Sequence, residues 1–383
     1  MKTVIKYILF SFFYYFFRIF PIQKNKIFFQ NFNGKGYGCN PKYIAEEILR
    51  RKLGFILIWA ALPEFSDNFP KEIKTVSYKS IRSVYEQVTS KFWIDNCRKQ
   101  LYVKKRKAQF YIQTWHGIGP KKCEKDVEQT LSPYYLKQAK NDSKLIDLFL
   151  SDSKFATDLF STSFWYTGEI RKYGFPRNDI FVNNNQFINA KVKKFFDIPD
   201  KTKIILYAPT FRNISKMEIY NIDYKAILNC LNKKEIHSFV FLIRLHPNII
   251  NNAKSFVYNK FFINASYYND MQELLFASDI LITDYSSCMT EFALMKKPVF
   301  LHLIDYDNYT TKERDFYYNL FSLPFPIALT ESELLSNINK FNYASYLIAV
   351  NNYLFNYNFI NDGKAAKRII NRILIELKNQ GGK

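Results

Sequence analysis

A chain of 383 residues, almost half of them hydrophobic, has room for one large core or two ordinary ones. Its five cysteines are scattered and odd in number with no C-x-x-C pair, which excludes a disulfide framework or a structural zinc site and fits a reducing cytosol. A net charge of +21 points to an anionic partner, whether nucleic acid, acidic lipid or a phosphate-rich substrate, without choosing among them.

The chain opens on "MKTVIKYILFSFFYYFFRIFP". The apolar run is short of the roughly 20 residues a span requires, and no small-residue cleavage site follows it. Wound as a helix, it puts Tyr7, Ser11, Tyr14 and Arg18 on one face and Ile5, Leu9, Phe12, Phe13 and Phe16 on the other, with Lys6 a misfit. Two readings stand: a helix lying in a membrane interface, with tyrosines and cations at the headgroups, and a first helix packed on the body of the protein.

After Pro21 the pattern becomes α/β. "KIFFQNF" (26–32) reads as a strand, "NGKGYG" (33–38) as a turn, and "NPKYIAEEILRRK" as a helix with Asn40 at the N-cap and Pro41 at the first helical position. "FILIWA" (55–60), "KTVSYKS" (74–80), "KFWIDNC" (91–97), "QFYIQTW" (109–115) and "LIDLFLSDS" (145–153) are further strand candidates. "YVKKRK" (102–107) is either a nucleic-acid patch or a solvated basic loop, and no nucleic-acid motif accompanies it. An Asn-rich break, "FVNNNQFIN" (181–189), marks the expected boundary. Alternation then resumes through "KIILYAPTFR" (203–212), "SFVFLIRLHPN" (238–248), "MQELLFASD", "ILITDYSS", "CMTEFALMKK" and "PVFLHLIDYDNY", and the chain from about residue 331 reads as helical. The expected organisation is an interface helix (1–22), a Rossmann-like domain (23–185) and a second Rossmann-like domain (186–383).

In such sheets ligands bind beyond the carboxyl ends of the strands. Three strand exits of the second domain carry phosphate-binding chemistry. Ser286 and Ser287 follow Asp284 where a helix begins, either binding phosphate or merely capping. His246 ends "FLIRLHPN" with Arg244 two residues earlier. Thr210 and Arg212 follow "LYAP". There is no P-loop and no in-frame GxGxxG. In the first domain "QTWHGIGPKK" (113–122) places His116 after a strand, as a general base or as half of a core Trp–His pair. Gly117 and Gly119 permit close backbone approach, and Lys121 and Lys122 supply charge for an anionic acceptor or donor. "DYD" (305–307) resembles an Asp-x-Asp metal motif but lacks further oxygen ligands, so neither a metal nor a cofactor is expected.

Six blocks in order, "YIQTWHGIGPKK", "YGFPRND" (173–179), "YAPTFR", "IRLHP", "SDILITDYSSCMTEFALMKKPV" and "NDGKAAKRI" (361–369), resemble the CDP-glycerol:poly(glycerophosphate) glycerophosphotransferase family of teichoic acid and capsule enzymes, from about residue 107 to 368. The resemblance implies a GT-B fold of two Rossmann-like domains facing a cleft. It implies transfer of glycerol phosphate from CDP-glycerol to a hydroxyl of a polyprenyl-linked glycan acceptor, with release of CMP, on the cytoplasmic face of the bacterial membrane at an anionic leaflet. Under it His116 is the base, and His246, Ser286 and Ser287 contact the donor pyrophosphate, with Thr210, Arg212 and Asp284 beside them. Glu291, Asp315 and Phe325 depart from the family pattern, which leaves the polyol open. CDP-ribitol or a nucleotide-sugar as donor, and a non-catalytic basic membrane-surface protein, are the alternatives.

Overall fold

The computed structural model describes residues 2–66, 69–183, 186–212, 217–234, 237–246 and 248–379. Two residues of the Asn-rich break (184 and 185), and Pro247, which was expected to stop its strand, lie outside them. The chain divides into two compact units. The first holds Met1–Gly117, Cys123–Asp179 and Phe359–Lys383; the second holds Ile118–Lys122 and Ile180–Asn358.

The first unit is built on β1 (Gln23–Gln30), β2 (Ile56–Ala61), β3 (Ile73–Ser77), β4 (Ser90–Asp95), β5 (Phe110–Gln113), β6 (Leu148–Ser151) and β7 (Glu169–Lys172). All pair in parallel, in the order β3-β2-β1-β4-β5-β6-β7. The central strands are buried on both faces, as a helix-covered parallel sheet requires, and so read as continuous apolar runs. The edge strand β7, "EIRK", carries charge instead and left no apolar signal in the sequence.

The second unit contains β8 (Lys203–Ala208), β9 (Phe239–Ile243), β10 (Phe262–Asn264), β11 (Ile280–Thr283), β12 (Val299–His302) and β13 (Ile327–Ala328). These are parallel in the order β10-β9-β8-β11-β12-β13. Each sheet reverses strand order once, between β1 and β4 in the first and between β8 and β11 in the second. Those switch points are where a doubly wound sheet opens a crevice for ligands. Each unit therefore has the α/β character of a Rossmann-like domain.

Three placements differ from the sequence reading. The C-terminal helix Ala365–Lys378, assigned there to the second domain, belongs to the first unit. Its Ile369, Ile370 and Ile373 are fully buried in the core of the first sheet beside Ile44 and Ile48. The Asp179 carboxylate fixes its start by accepting from the N–H groups of Ala365 and Ala366, both at 2.9 Å. The "YGFPRND" and "NDGKAAKRI" blocks thus meet in a structural joint. Conversely, residues 118–122 leave the first unit to join the second. Finally, Gly38 rather than Asn40 precedes the helix Cys39–Arg50 as its N-cap, and Asn40 is used elsewhere.

The N-terminal helix Lys2–Phe16 packs on the helix Ile81–Thr89. The membrane-interface reading places Tyr14 at lipid headgroups. It is buried instead and donates from its hydroxyl to Gln87 Oε1, while Phe10 packs on Tyr102. The other side of the helix leaves Ile5, Ile8, Leu9, Phe12, Phe16 and, just beyond it, Ile19 exposed. No helix among the described residues is long and apolar enough to cross a membrane.

Candidate active site

In the first unit β5 ends at Gln113 and the next turn presents His116. Trp115 adopts a left-handed φ of 49°, a costly conformation for a bulky side chain, and its neighbours hold it there. Gln113 Oε1 accepts from the Trp115 N–H at 2.9 Å, and Asn40 Nδ2 donates to the carbonyls of Thr114 (3.2 Å) and Trp115 (3.0 Å). The imidazole of His116 stacks on Trp115, with centroids 4.5 Å apart, and meets the Phe32 ring edge-on at 5.3 Å.

His116 Nδ1 lies 2.7 Å from the carbonyl oxygen of Asn96. A carbonyl can only accept, so the hydrogen-bond pattern assigns the proton to Nδ1 and leaves a lone pair on Nε2. Burial, aided by the nearby Arg177 and Arg98 charges, lowers the imidazole pKa to about 4 against the opposing pull of the Asn96 carbonyl. Arg98 is itself paired with Glu124 at 2.7 Å and Asp142 at 3.3 Å. At neutral pH His116 is therefore an uncharged ring with a fixed acceptor nitrogen, the form a general base needs.

In the second unit the exits of β8 and β11 flank the switch point. Thr210 N–H donates to both Asp284 oxygens at 2.9 Å. Arg212, expected as a donor-phosphate contact with Asp284 beside it, is engaged inside the fold. It pairs with Asp284 at 2.9 Å, reaches Asp305 at 2.7 and 3.0 Å, and lies over the rings of Tyr285 and Tyr309. Asp305, the first aspartate of "DYD", is committed to that pair and to the Tyr285 hydroxyl at 3.0 Å. Arg212 and Asp284 thus build the framework of the crevice. The Thr210 hydroxyl is buried with no hydrogen-bond partner among the described residues.

Ser287 stands at the N-cap of the helix Cys288–Ala293 but its side chain makes no capping bond, while Ser286 Oγ accepts a long 3.4 Å bond from Cys288 N–H and donates to the Cys288 thiol. Capping therefore does not account for Ser287. His246 is exposed and stacks on Phe211, with centroids 5.8 Å apart. Its Nδ1 accepts from the Asn248 N–H at 3.2 Å, which assigns the proton of the neutral ring to Nε2.

The segment Ile118–Lys122 lies against this serine turn. A Cβ on Gly119 would come within 3.2 Å of Ser287 N and 3.3 Å of Ser287 Cα, close enough that the serine turn would have to give by a few tenths of an ångström. Lys121 forms an antiparallel bridge with Phe316, and Tyr317 N–H donates to the Pro120 carbonyl at 2.8 Å. Burial lowers the Lys121 ammonium pKa to about 8, Asp284 opposing and Arg314 and Arg212 assisting. Lys122 pairs with Asp315 at 2.5 Å. That gives one departure from the family pattern a partner. Another, Glu291, accepts from Gln272 Nε2 at 2.6 Å, and Phe325 is buried against Tyr353. Sequence reasoning missed Asn31 and Asn96, took Asn40 for an N-cap, and set Asp305 aside with a metal motif. The only trace of the first three was an asparagine at a strand exit or helix start, which reads equally well as an ordinary turn or cap.

The family model described as CDP-Glycerol:Poly(glycerophosphate) glycerophosphotransferase matches residues 12–375. The teichoic acid poly(glycerol phosphate) polymerase of Staphylococcus epidermidis is 32% identical over 374 residues, covering 94% of this chain and 52% of that protein. The polymerase of the same name from Bacillus subtilis is 28% identical over 369 residues, covering 92% of this chain and 49% of that one. The chain thus spans about half the length of these two relatives. Among solved structures, a variant of the wall teichoic acid polymerase TagF soaked with CDPG superposes with a TM-score of 0.86 at 28% identity, covering 98% of this chain and 95% of that one. With the family model spanning nearly the whole sequence, this chain belongs to the CDP-glycerol:poly(glycerophosphate) glycerophosphotransferase family.

Proposed function

We propose that this protein transfers glycerol phosphate from CDP-glycerol to a hydroxyl of a lipid-linked glycan acceptor, releasing CMP, in teichoic acid or capsular polymer synthesis. The observation that carries the reading is the tautomer of the strand-exit His116. Its Nε2 has a lone pair to accept the proton of the attacking hydroxyl. The acceptor oxygen forms a bond to the phosphorus that carries glycerol, and the bond from that phosphorus to the CMP oxygen breaks. His246 and the hydroxyls of Ser286, Ser287 and Thr210 hold the pyrophosphate, and Lys121 adds positive charge. In phosphoryl transfer such positioning and charge stabilisation account for most of the catalysis. The family membership and the CDPG-soaked relative support CDP-glycerol as donor.

The acceptor is lipid-linked, so we place the enzyme peripherally at the cytoplasmic face of the bacterial membrane, anchored by the outward side of its N-terminal helix. That side exposes Ile5, Ile8, Leu9, Phe12 and Phe16, and a net charge of +21 favours an anionic leaflet.

The test is CMP release from CDP-glycerol with and without a lipid-linked acceptor, beside CDP-ribitol. Acceptor-dependent release from CDP-glycerol is the expected result. Release from CDP-ribitol alone would replace the polyol, and release from neither donor would overturn the reading.

A further inference from the structure

The crevice at the switch point of the first sheet lies between the loops leaving β1 and β4. We propose that Asn31 and Asn96, one from each loop, form a positioning pair that fixes the tautomer and the aim of His116; this rests on the reading of His116 as the base. Asn96 is wholly buried and Asn31 nearly so. The Asn96 amide donates from Nδ2 to Asn31 Oδ1 at 2.7 Å, and its Oδ1 accepts from the Phe32 N–H at 2.9 Å. Its backbone N–H donates to Asp95 Oδ1 at 2.7 Å, and its carbonyl takes the His116 Nδ1 hydrogen. Every polar group of Asn96 is thus bonded, and the last of those bonds is to the imidazole. Asn31 anchors the other end, donating from Nδ2 to the carbonyls of Lys35 (3.0 Å) and Gly36 (3.2 Å).

Two further features indicate that the pair serves the imidazole. Phe32 and Asn33, between the two ends of this network, hold left-handed φ values of 39° and 56°. For a bulky residue such as Phe32 that conformation is costly. It is the Phe32 ring that closes on the edge of His116. The second feature is the choice of neutral amides. A carboxylate at position 96 could not donate to Asn31. It would also set a negative charge beside the ring and favour its protonated form, which has no lone pair. The charges already facing His116 are Arg177 and Arg98, the latter balanced by Glu124 and Asp142, and these favour the neutral ring.

The test is nitrogen-15 NMR of the full chain with labelled histidine, the His116 signals being assigned by their loss in His116→Gln. Wild type at neutral pH should show the hydrogen on Nδ1 and the lone pair on Nε2. Asn31→Ala and Asn96→Ala should mix the two tautomers and lower kcat for CMP release about tenfold, while KM for CDP-glycerol stays close to wild type. A wild-type ring carrying its hydrogen on Nε2 overturns the proposal without any variant. So do folded Asn31→Ala and Asn96→Ala proteins that keep one tautomer and full turnover. Mixed tautomers with undiminished turnover would keep the positioning pair and remove the base role from His116.

Discussion

A buried imidazole of low pKa is wholly in its base form at neutral pH but accepts a proton less readily, so its work as a base depends on how its lone pair is aimed. Burial holds His116 near a pKa of about 4 instead of 6.5. The working form is the deprotonated one, so lowering the pH through 6.5 should leave turnover intact. The acid limb of kcat/KM for CMP release should fall near pH 4. A limb near 6.5 would mean that the ring is solvated in solution. His116→Ala should cost roughly 10²–10⁴-fold in turnover with the fold retained. Gly119 is a different kind of site. Its substitution to Ala would press a methyl group on Ser287 backbone atoms 3.2–3.3 Å away, which no rotamer change relieves. Gly119→Ala should raise KM for CDP-glycerol by about tenfold, because the serine turn must shift by a few tenths of an ångström; an unchanged KM would detach that turn from the donor. His116 could be found in the sequence because a histidine between a tryptophan and a glycine after a strand is unusual. Its supports could not, since Asn31, Asn40 and Asn96 matter through partners tens of residues away, and asparagine at an element end has many ordinary uses.

The strands were legible because a parallel sheet covered by helices buries both faces and writes itself as apolar runs; β7 escaped because an exposed edge is written in charge. Helix faces were half legible. Periodicity separated the two sides of the Lys2–Phe16 helix but did not say which one meets protein. The side with Ser11 and Tyr14 turns inward, since a buried tyrosine hydroxyl needs a partner and Gln87 supplies it. The opposite side, apolar apart from Tyr15, stays outside. The double variant Leu9→Asp, Phe12→Asp should therefore leave the melting temperature nearly unchanged, both positions being exposed, yet abolish flotation with vesicles rich in anionic lipid. Flotation that persists would assign membrane attachment to the basic body of the protein.

The path of the whole chain was the least legible feature, because a sequence announces that a helix is amphipathic without naming the sheet it covers. Residues 359–383 return to the first unit after the second is complete. The C-terminal helix places three fully buried isoleucines, Ile369, Ile370 and Ile373, in the first core. At roughly 1.5–3 kcal/mol for each buried side chain, their removal costs about 5–9 kcal/mol, a large share of the 5–15 kcal/mol that typically holds a domain together. The second unit keeps its own core, Ile205 to Ile338, without them. A chain ending at residue 358 should therefore lose the first unit while the second stays folded. Limited proteolysis should cut rapidly within residues 23–179 and spare a fragment from about residue 190 to 358. A separate 359–383 peptide should restore protection, because the Asp179 carboxylate that caps the helix belongs to the body of the first unit. Equal loss of both fragments would show that the two units fold as one cooperative body, and survival of the first would show that its core does not depend on the helix.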